Sequence, residues 1–185
     1  MIKYRYVFFL ITSSLLLSQS AQAHVDFKDN TYQSGSHASL TLEVADGCEN
    51  GDTTQVDVVM PASVKHLMLV GAKLGNTSPK GWVMKVNKLS GKTFIRAKGP
   101  AIKVSDEKPL TLNFMATLPT GKDQVLSFPT TQYCGKEINS WVDPRPGVGL
   151  DSPDGSFPIP SIAITSKTSK NTSSGMSKPM KKSMS

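Results

Sequence analysis

Apolar and polar residues alternate with a period of two in several short segments of the chain. This alternation is typical of β-strands that bury one face, and no segment keeps a helical apolar period over three turns. Turn residues such as Asp46-Gly47 and Pro119-Thr120-Gly121 separate the segments. The pattern therefore predicts an all-β, antiparallel β-sandwich, compatible with an immunoglobulin-like fold. The predicted strands cover residues 38–44, 55–60, 82–86, 93–96, 110–117, 125–128, 138–142 and 161–165.

The first 23 residues differ from the rest and predict a signal peptide. Lys3 and Arg5 precede an apolar run over residues 7–17, and Ala21-Gln22-Ala23 forms a small-x-small cleavage site. The alternative is an N-terminal membrane anchor, but the apolar run is about half the roughly 20 residues that a spanning helix needs. We expect cleavage after Ala23, so that the exported chain begins with His24.

The other end of the chain predicts a disordered tail. From Ser166 onward only Ser, Thr, Lys, Asn, Gly, Pro and Met occur, a composition that cannot form a packed core. The chain is thus expected to contain a signal peptide at 1–23, one folded domain at 24–165 and a tail at 166–185.

The excess of positive charge also separates the leader and the tail from the domain. The formal net charge is +7, but two basic residues lie in the leader and five lysines in the tail. Residues 24–165 contain 14 basic and 14 acidic residues. A neutral domain argues against the basic groove that nucleic acid requires, and we expect no nucleic-acid partner.

The exported chain contains two cysteines, Cys48 and Cys134. In an oxidising compartment this pair predicts one disulfide, which would either bridge the sheets or fasten a loop. Such a link would stabilise the fold by about 4 kcal/mol. The alternative is a pair of free or metal-binding thiols.

A chain that begins with His24 carries two metal donors on one residue, the α-amino nitrogen and the imidazole Nδ1. Paired nitrogen donors suit Cu(II), the strongest binder among the common divalent metals. The alternative is that cleavage leaves a histidine first by chance. His37 and His66 are interpreted as surface residues, and the sequence has no CxxC, HxxxH, P-loop or GxSxG pattern.

The tail contains Met176, Met180 and Met184, a methionine at every fourth position. Thioethers are soft ligands that select Cu(I), and a flexible segment can wrap such an ion. The alternative is an ordinary lysine-rich tail with incidental methionines.

A set of motifs follows one another along the domain in a defined order. They are Ala23-His24-Val25, Asp46-Gly47-Cys48, residues 53–61, Pro79-Lys80-Gly81-Trp82, residues 110–114, Gln132-Tyr133-Cys134-Gly135, Trp141 and Pro158-Ile159-Pro160. Together they resemble the YcnI-like copper-binding domains of bacterial envelopes. The form with cysteines is similar to the one in Gram-negative bacteria, which implies a periplasmic location.

The resemblance implies an immunoglobulin-like β-sandwich that binds one Cu(II) through a single-histidine brace at His24. It also implies a tryptophan beside the metal, which corresponds to Trp141, and a carboxylate shortly after the Gly-Trp pair. Residues 81–86 contain no acid. Met84, water or Asp143 is therefore expected to take the third position, and a methionine there would shift the preference toward Cu(I).

These residues predict a periplasmic copper-binding protein for copper trafficking or homeostasis, and not an enzyme. Its expected partners are copper, a periplasmic copper chaperone or a membrane copper transporter. One alternative is a copper-dependent polysaccharide monooxygenase, in which His37 or His66 would complete the brace. Another is a metal-free envelope domain for adhesion or assembly.

Overall fold

A computed structural model describes residues 24–144 and 157–166, and within these residues all regular structure is β. The predicted leader and most of the predicted tail lie outside the described residues. In chain order the strands are β1 Val25–Phe27, β2 Thr31–Gln33, β3 His37–Val44, β4 Thr53–Val59, β5 Lys65–Leu74, β6 Val83–Leu89, β7 Lys92–Ile102, β8 Leu110–Thr117, β9 Gln124–Ser127, β10 Thr130–Cys134, β11 Glu137–Asp143, β12 Phe157–Pro158 and β13 Ser161–Thr165.

The strands form three sheets. A four-stranded sheet has the order β1-β3-β8-β5, and a six-stranded sheet has the order β12-β11-β10-β4-β7-β6. A small third sheet has the order β2-β13-β9. The predicted all-β, immunoglobulin-like sandwich is confirmed, although β11 pairs with β12 and β13 pairs with β2 in parallel.

The core lies between the two larger sheets because their central strands alternate strictly. In β8 every second side chain, from Leu110 to Ala116, is buried, and the residues between them face outward. β3 alternates in the same way and pairs with β8 over its whole length. Period-two alternation places one set of side chains on each face of a sheet. β3 and β8 therefore have an inner apolar face and an outer face with polar and sulfur-containing side chains.

Strand β10 buries polar side chains instead of apolar ones. Thr130 and Gln132 are fully buried on the inner face. The Thr130 hydroxyl donates to the Phe128 carbonyl at 2.8 Å, and Gln132 Nε2 donates to Thr53 Oγ1 at 2.7 Å. Because these bonds replace water, the strand is stable without an apolar pattern.

The predicted strands are present, but the alternation of apolar and polar residues does not predict several further strands. It misses β10 because its buried positions are polar, and it misses β5 because none of its residues is fully buried. β5 also carries two register irregularities, one between Lys65 and Met68 and one between Leu69 and Gly71. Such bulges break the period of two on which the prediction depends.

Candidate metal site at His24

His24 lies at the edge of the four-stranded sheet, immediately before β1. Val25 pairs with Val44 at the end of β3, and the Ala45 N–H donates to the His24 carbonyl at 2.9 Å. The side chain of His24 is exposed. The first residue of the predicted mature chain is therefore fixed through its backbone, while its ring faces solvent.

Asp46 supplies a carboxylate next to this residue. The His24 nitrogen donates to Asp46 Oδ2 at 3.2 Å. Beside them lies a shallow depression, lined by His24, Asp26, Phe27, Lys28, Glu43 and Ala45. The sequence prediction did not include Asp46, because Asp46-Gly47 has the form of an ordinary turn.

The β3–β4 loop, residues 45–52, is held to the six-stranded sheet by several links. A disulfide joins Cys48 to Cys134 at the end of β10, so the predicted disulfide is confirmed and it fastens a loop. The Glu137 carboxylate accepts hydrogen bonds from the backbone N–H groups of Glu49 and Asn50, both at 2.9 Å. These links fix the loop at its middle.

Two further contacts hold the loop, one at Asp46 and one at Gly51. Gln132 Nε2 donates to the Asp46 carbonyl at 3.0 Å from the buried face of β10. Gly51 packs so closely on β10 that a Cβ atom there would lie 2.7 Å from the Cys134 carbonyl oxygen. A larger residue would push the loop away, so glycine is required here. The Asp46 carboxylate is thus presented to His24 by a firmly anchored loop.

The surroundings of Asp46 disfavour its charged form. Partial burial raises the pKa of the Asp46 carboxyl above its ordinary value, and the nearby negative charge of Asp106 raises it further. The hydrogen bond from His24 and the charge of His24 oppose this shift. A carboxylate in this setting gains from a neighbouring cation, because a cation supplies the missing opposite charge.

The other predicted site residues in the described part of the chain lie on β6 and β11. Trp141 is only 2% exposed and stacks on Phe157, with ring centroids 5.3 Å apart. Met84 lies on β6, at the far edge of the six-stranded sheet, and packs against the core. Asp143 on β11 is 5% exposed. None of the three lines the depression beside His24.

His37 and His66 lie at the opposite end of β3 from His24. His37 is the first residue of β3, and its Nδ1 is 3.2 Å from Thr117 Oγ1. His66 Nδ1 is also 3.2 Å from Thr117 Oγ1. At about 3.3 Å per residue, the ends of β3 are about 23 Å apart, so the two histidines do not join His24 in one site.

Over the described ranges 24–144 and 157–166, no group of three or more His, Cys, Asp or Glu side chains is arranged to hold a metal. The same part of the chain contains no helix that is long and apolar enough to span a membrane. Met176, Met180 and Met184 lie outside the described residues.

Residues 24–164 match the family described as a domain of unknown function, DUF1775. The chain belongs to this family. DUF1775 is the domain of the YcnI-like proteins, so the family suggested by the sequence motifs is confirmed. The assignment to the Gram-negative type with cysteines stays a prediction, although the disulfide itself is present.

Comparison with solved structures supports the fold through one match, and a second, weaker match is noted with it. An uncharacterised protein from Nocardia farcinica with an immunoglobulin-like fold is 16% identical, covers 77% of this chain and 97% of its own, and has a TM-score of 0.54. A cohesin module of a family 33 glycoside hydrolase from Clostridium perfringens is 11% identical, covers 79% and 98%, and has a TM-score of 0.46. No curated protein matches the chain.

Proposed function

We propose that the processed protein binds one Cu(II) ion through the α-amino nitrogen and ring of His24, with the Asp46 carboxylate as third protein ligand. The observation that carries the proposal is the 3.2 Å contact between the His24 nitrogen and Asp46 Oδ2. In the uncleaved chain this nitrogen is a peptide N–H, and cleavage after Ala23 makes the same atom an amine. One residue would then present two nitrogen donors beside an anionic oxygen.

The donor set suits the metal. Nitrogen donors with a carboxylate are typical of Cu(II) sites, and the divalent ion outcompetes other common metals for such donors. The raised pKa of Asp46 also fits, because a bound cation would offset the burial and the charge of Asp106 that disfavour the carboxylate. These features support a site built from His24 and Asp46.

We propose Asp46 for the third position in preference to the candidates that the sequence suggested. Met84 lies at the far edge of the other sheet, and Asp143 is buried on β11. In this proposal the β3–β4 loop supplies the carboxylate that the resemblance implies after Gly81-Trp82. With a carboxylate in this position the site favours Cu(II) over Cu(I).

We assign the protein a role in copper trafficking or homeostasis in the periplasm. His24 is exposed and its depression is shallow, so positions around the metal remain open to water or to a ligand from another protein. Open coordination favours transfer over storage. The disulfide supports an oxidising compartment. A periplasmic copper chaperone or a membrane copper transporter is the expected partner.

The alternative of a polysaccharide monooxygenase requires a second histidine at His24. His37 and His66 both contact Thr117 at the other end of β3, so neither supplies it in this arrangement. We therefore favour a binding protein over an enzyme. Peroxide-driven cleavage of chitin or cellulose by the copper-loaded protein would contradict this choice.

Asp46→Asn tests the third ligand directly. In the protein that begins at His24, we expect the substitution to lower Cu(II) affinity at least about tenfold and to change the EPR spectrum, because the anionic oxygen is lost. Glu43→Gln is the matched control, since Glu43 lines the same depression without contacting the His24 nitrogen. Equal affinities for the two variants would exclude Asp46 as a ligand.

A further inference from the structure

The outer face of the four-stranded sheet brings both remaining histidines to one atom. The chain contains three histidines, and apart from His24 they are His37 on β3 and His66 on β5. Each ring places its Nδ1 3.2 Å from Thr117 Oγ1 on the intervening strand β8. The two Nδ1 atoms are therefore at most 6.4 Å apart, twice that distance. Two imidazoles thus converge from opposite sides on the same hydroxyl.

A local irregularity turns His66 into this position. The register of β5 against β8 shifts between Lys65 and Met68, and His66 has a positive φ of 48°. Bulges re-aim side chains, and a left-handed conformation is uncommon outside glycine. Lys65 pairs with Thr117, but its ammonium group donates to the Ala62 carbonyl at 2.8 Å.

Two methionines lie in the next row of the same face. Met115 is two residues before Thr117 on β8, and it faces outward because Phe114 and Ala116 are buried. Met68 on β5 is its cross-strand partner and is 52% exposed. Cross-strand partners have Cβ atoms about 5 Å apart, and residues two apart on a strand are about 7 Å apart. Two thioethers therefore lie beside the two imidazoles.

We propose that His37, His66, Met68 and Met115 form a second metal site, which binds Cu(I). Imidazole nitrogen with thioether sulfur is a soft donor set, and thioethers select Cu(I) among the biological metals. An ion between the two Nδ1 atoms would replace their hydrogen bonds to Thr117. All four side chains are at least partly exposed, so they can close on the ion without moving the strands.

This site is separate from the His24 site and does not depend on the proposed function. It lies at the opposite end of β3, about 23 Å away along the strand. Its ligands are side chains only, so it does not require a free α-amine at residue 24. A chain that failed to bind Cu(II) at His24 would still be expected to bind Cu(I) here.

The test is NMR of the processed chain with ¹³C-methyl-labelled methionines, titrated anaerobically with Cu(I). We expect the methyl resonances of Met68 and Met115 to shift together at the first equivalents, while those of buried Met60 and of Met84 stay in place. The double variant His37→Ala/His66→Ala is expected to weaken this response at least about tenfold. The unchanged Met60 resonance would show that the variant is folded.

Met84→Leu is the matched control, because it removes a methionine from the other sheet and leaves the four donors intact. It should not alter the response of Met68 and Met115. Resonances of Met68 and Met115 that do not move with Cu(I), or that move equally in the double variant, would overturn the proposal. The Cu(II) EPR spectrum of the double variant should equal that of the parent chain. A parent chain that showed no EPR signal of protein-bound Cu(II) would contradict only the proposed His24 site.

Discussion

The two ends of β3 carry the donors of the two proposed metal sites, and the fold holds these donors in different ways. Beside Val44, the nitrogen of His24 meets the Asp46 carboxylate, and the loop that carries Asp46 is fixed by a disulfide and by Gln132. Beside His37, imidazoles and thioethers stand on an open sheet face.

This difference is the reason for proposing a different oxidation state of copper at each end. Nitrogen and carboxylate donors on an anchored loop match Cu(II), whereas nitrogen and thioether donors on exposed side chains match Cu(I). The loop enforces one geometry at the first end. At the second end the side chains can adapt to the ion. Variants that disturb one end and spare the other can therefore test whether the two ends act independently.

The largest expected effect is removal of the disulfide. The double variant Cys48→Ala/Cys134→Ala should lower the free energy of unfolding by about 4 kcal/mol, because the link closes a long segment of chain. Denaturant titration measures this loss. Cu(II) affinity should also fall, since the Asp46 loop loses an anchor, while Cu(I) binding near Thr117 should stay the same. Unchanged Cu(II) affinity in the folded variant would show that the disulfide does not position Asp46.

A smaller effect is expected from Gln132→Leu. The substitution removes the hydrogen bonds to the Asp46 carbonyl and to Thr53, at a cost of about 1–3 kcal/mol. Gln132 Oε1 has no hydrogen-bond partner, so the loss of the side chain is partly offset. Cu(II) affinity, measured by titration, should fall together with stability.

Thr130→Val is the control for this variant. It removes one buried hydrogen bond from the same face of β10, to the Phe128 carbonyl, without touching the loop. It should lower stability and leave Cu(II) affinity unchanged. If both variants affected Cu(II) binding equally, general destabilisation rather than loop anchoring would be the cause.

Deletion of residues 167–185 should leave stability and Cu(II) affinity unchanged, because it spares both ends of β3. The Cu(I) capacity should fall as Met176, Met180 and Met184 are lost, but binding at Met68 and Met115 should remain. A Cu(I) competition titration counts the equivalents. Complete loss of Cu(I) binding on deletion would place all soft ligands in the tail and contradict a site on the sheet.

The smallest effect is expected at Asp123, which belongs to neither group of donors. The hydroxyl and N–H of Ser166 both donate to Asp123 Oδ1, and these bonds lower the pKa of the Asp123 carboxyl. Because the folded pKa lies below the unfolded value, the stabilisation is present above an unfolded pKa of about 3.9 and is lost as pH falls through the folded value.

Asp123→Asn should therefore lower the melting temperature slightly at neutral pH. The difference from the parent should vanish in acid, as thermal melts at several pH values would show. Copper binding should be unaffected at any pH. A difference that persisted in acid would mean that the carboxylate charge is not its source.

The sequence predicts the fold where burial follows hydrophobicity. β3 and β8 alternate apolar and polar residues along their length, and both are predicted and observed. β10 buries Thr130 and Gln132, and it is invisible to a hydrophobic pattern because hydrogen bonds replace apolar contacts. The pattern does not predict β5 for a different reason, because two bulges interrupt the period of two along this strand.

Of the candidate site residues, too, some can be predicted from the sequence and others cannot. His24 follows from a cleavage motif, which is local in sequence. The role of Asp46 cannot be predicted in this way, because it depends on how the β3–β4 loop is held. The loop is held by β10 and by the disulfide, whose two cysteines are 86 residues apart in the sequence. The meeting of His37 with His66 depends on strand register and a bulge, neither of which a pattern of residue types encodes.

Binding of Cu(II) by the amine of His24 can be tested by adding one residue to the chain. Cu(II) EPR is compared for the chain that begins at His24 and for the same chain with one alanine before His24. The extension converts the amine to a peptide N–H and leaves Asp46 and the fold intact. We expect one tightly bound Cu(II) in the first protein and none in the second. Identical spectra and affinities for the two proteins would contradict it.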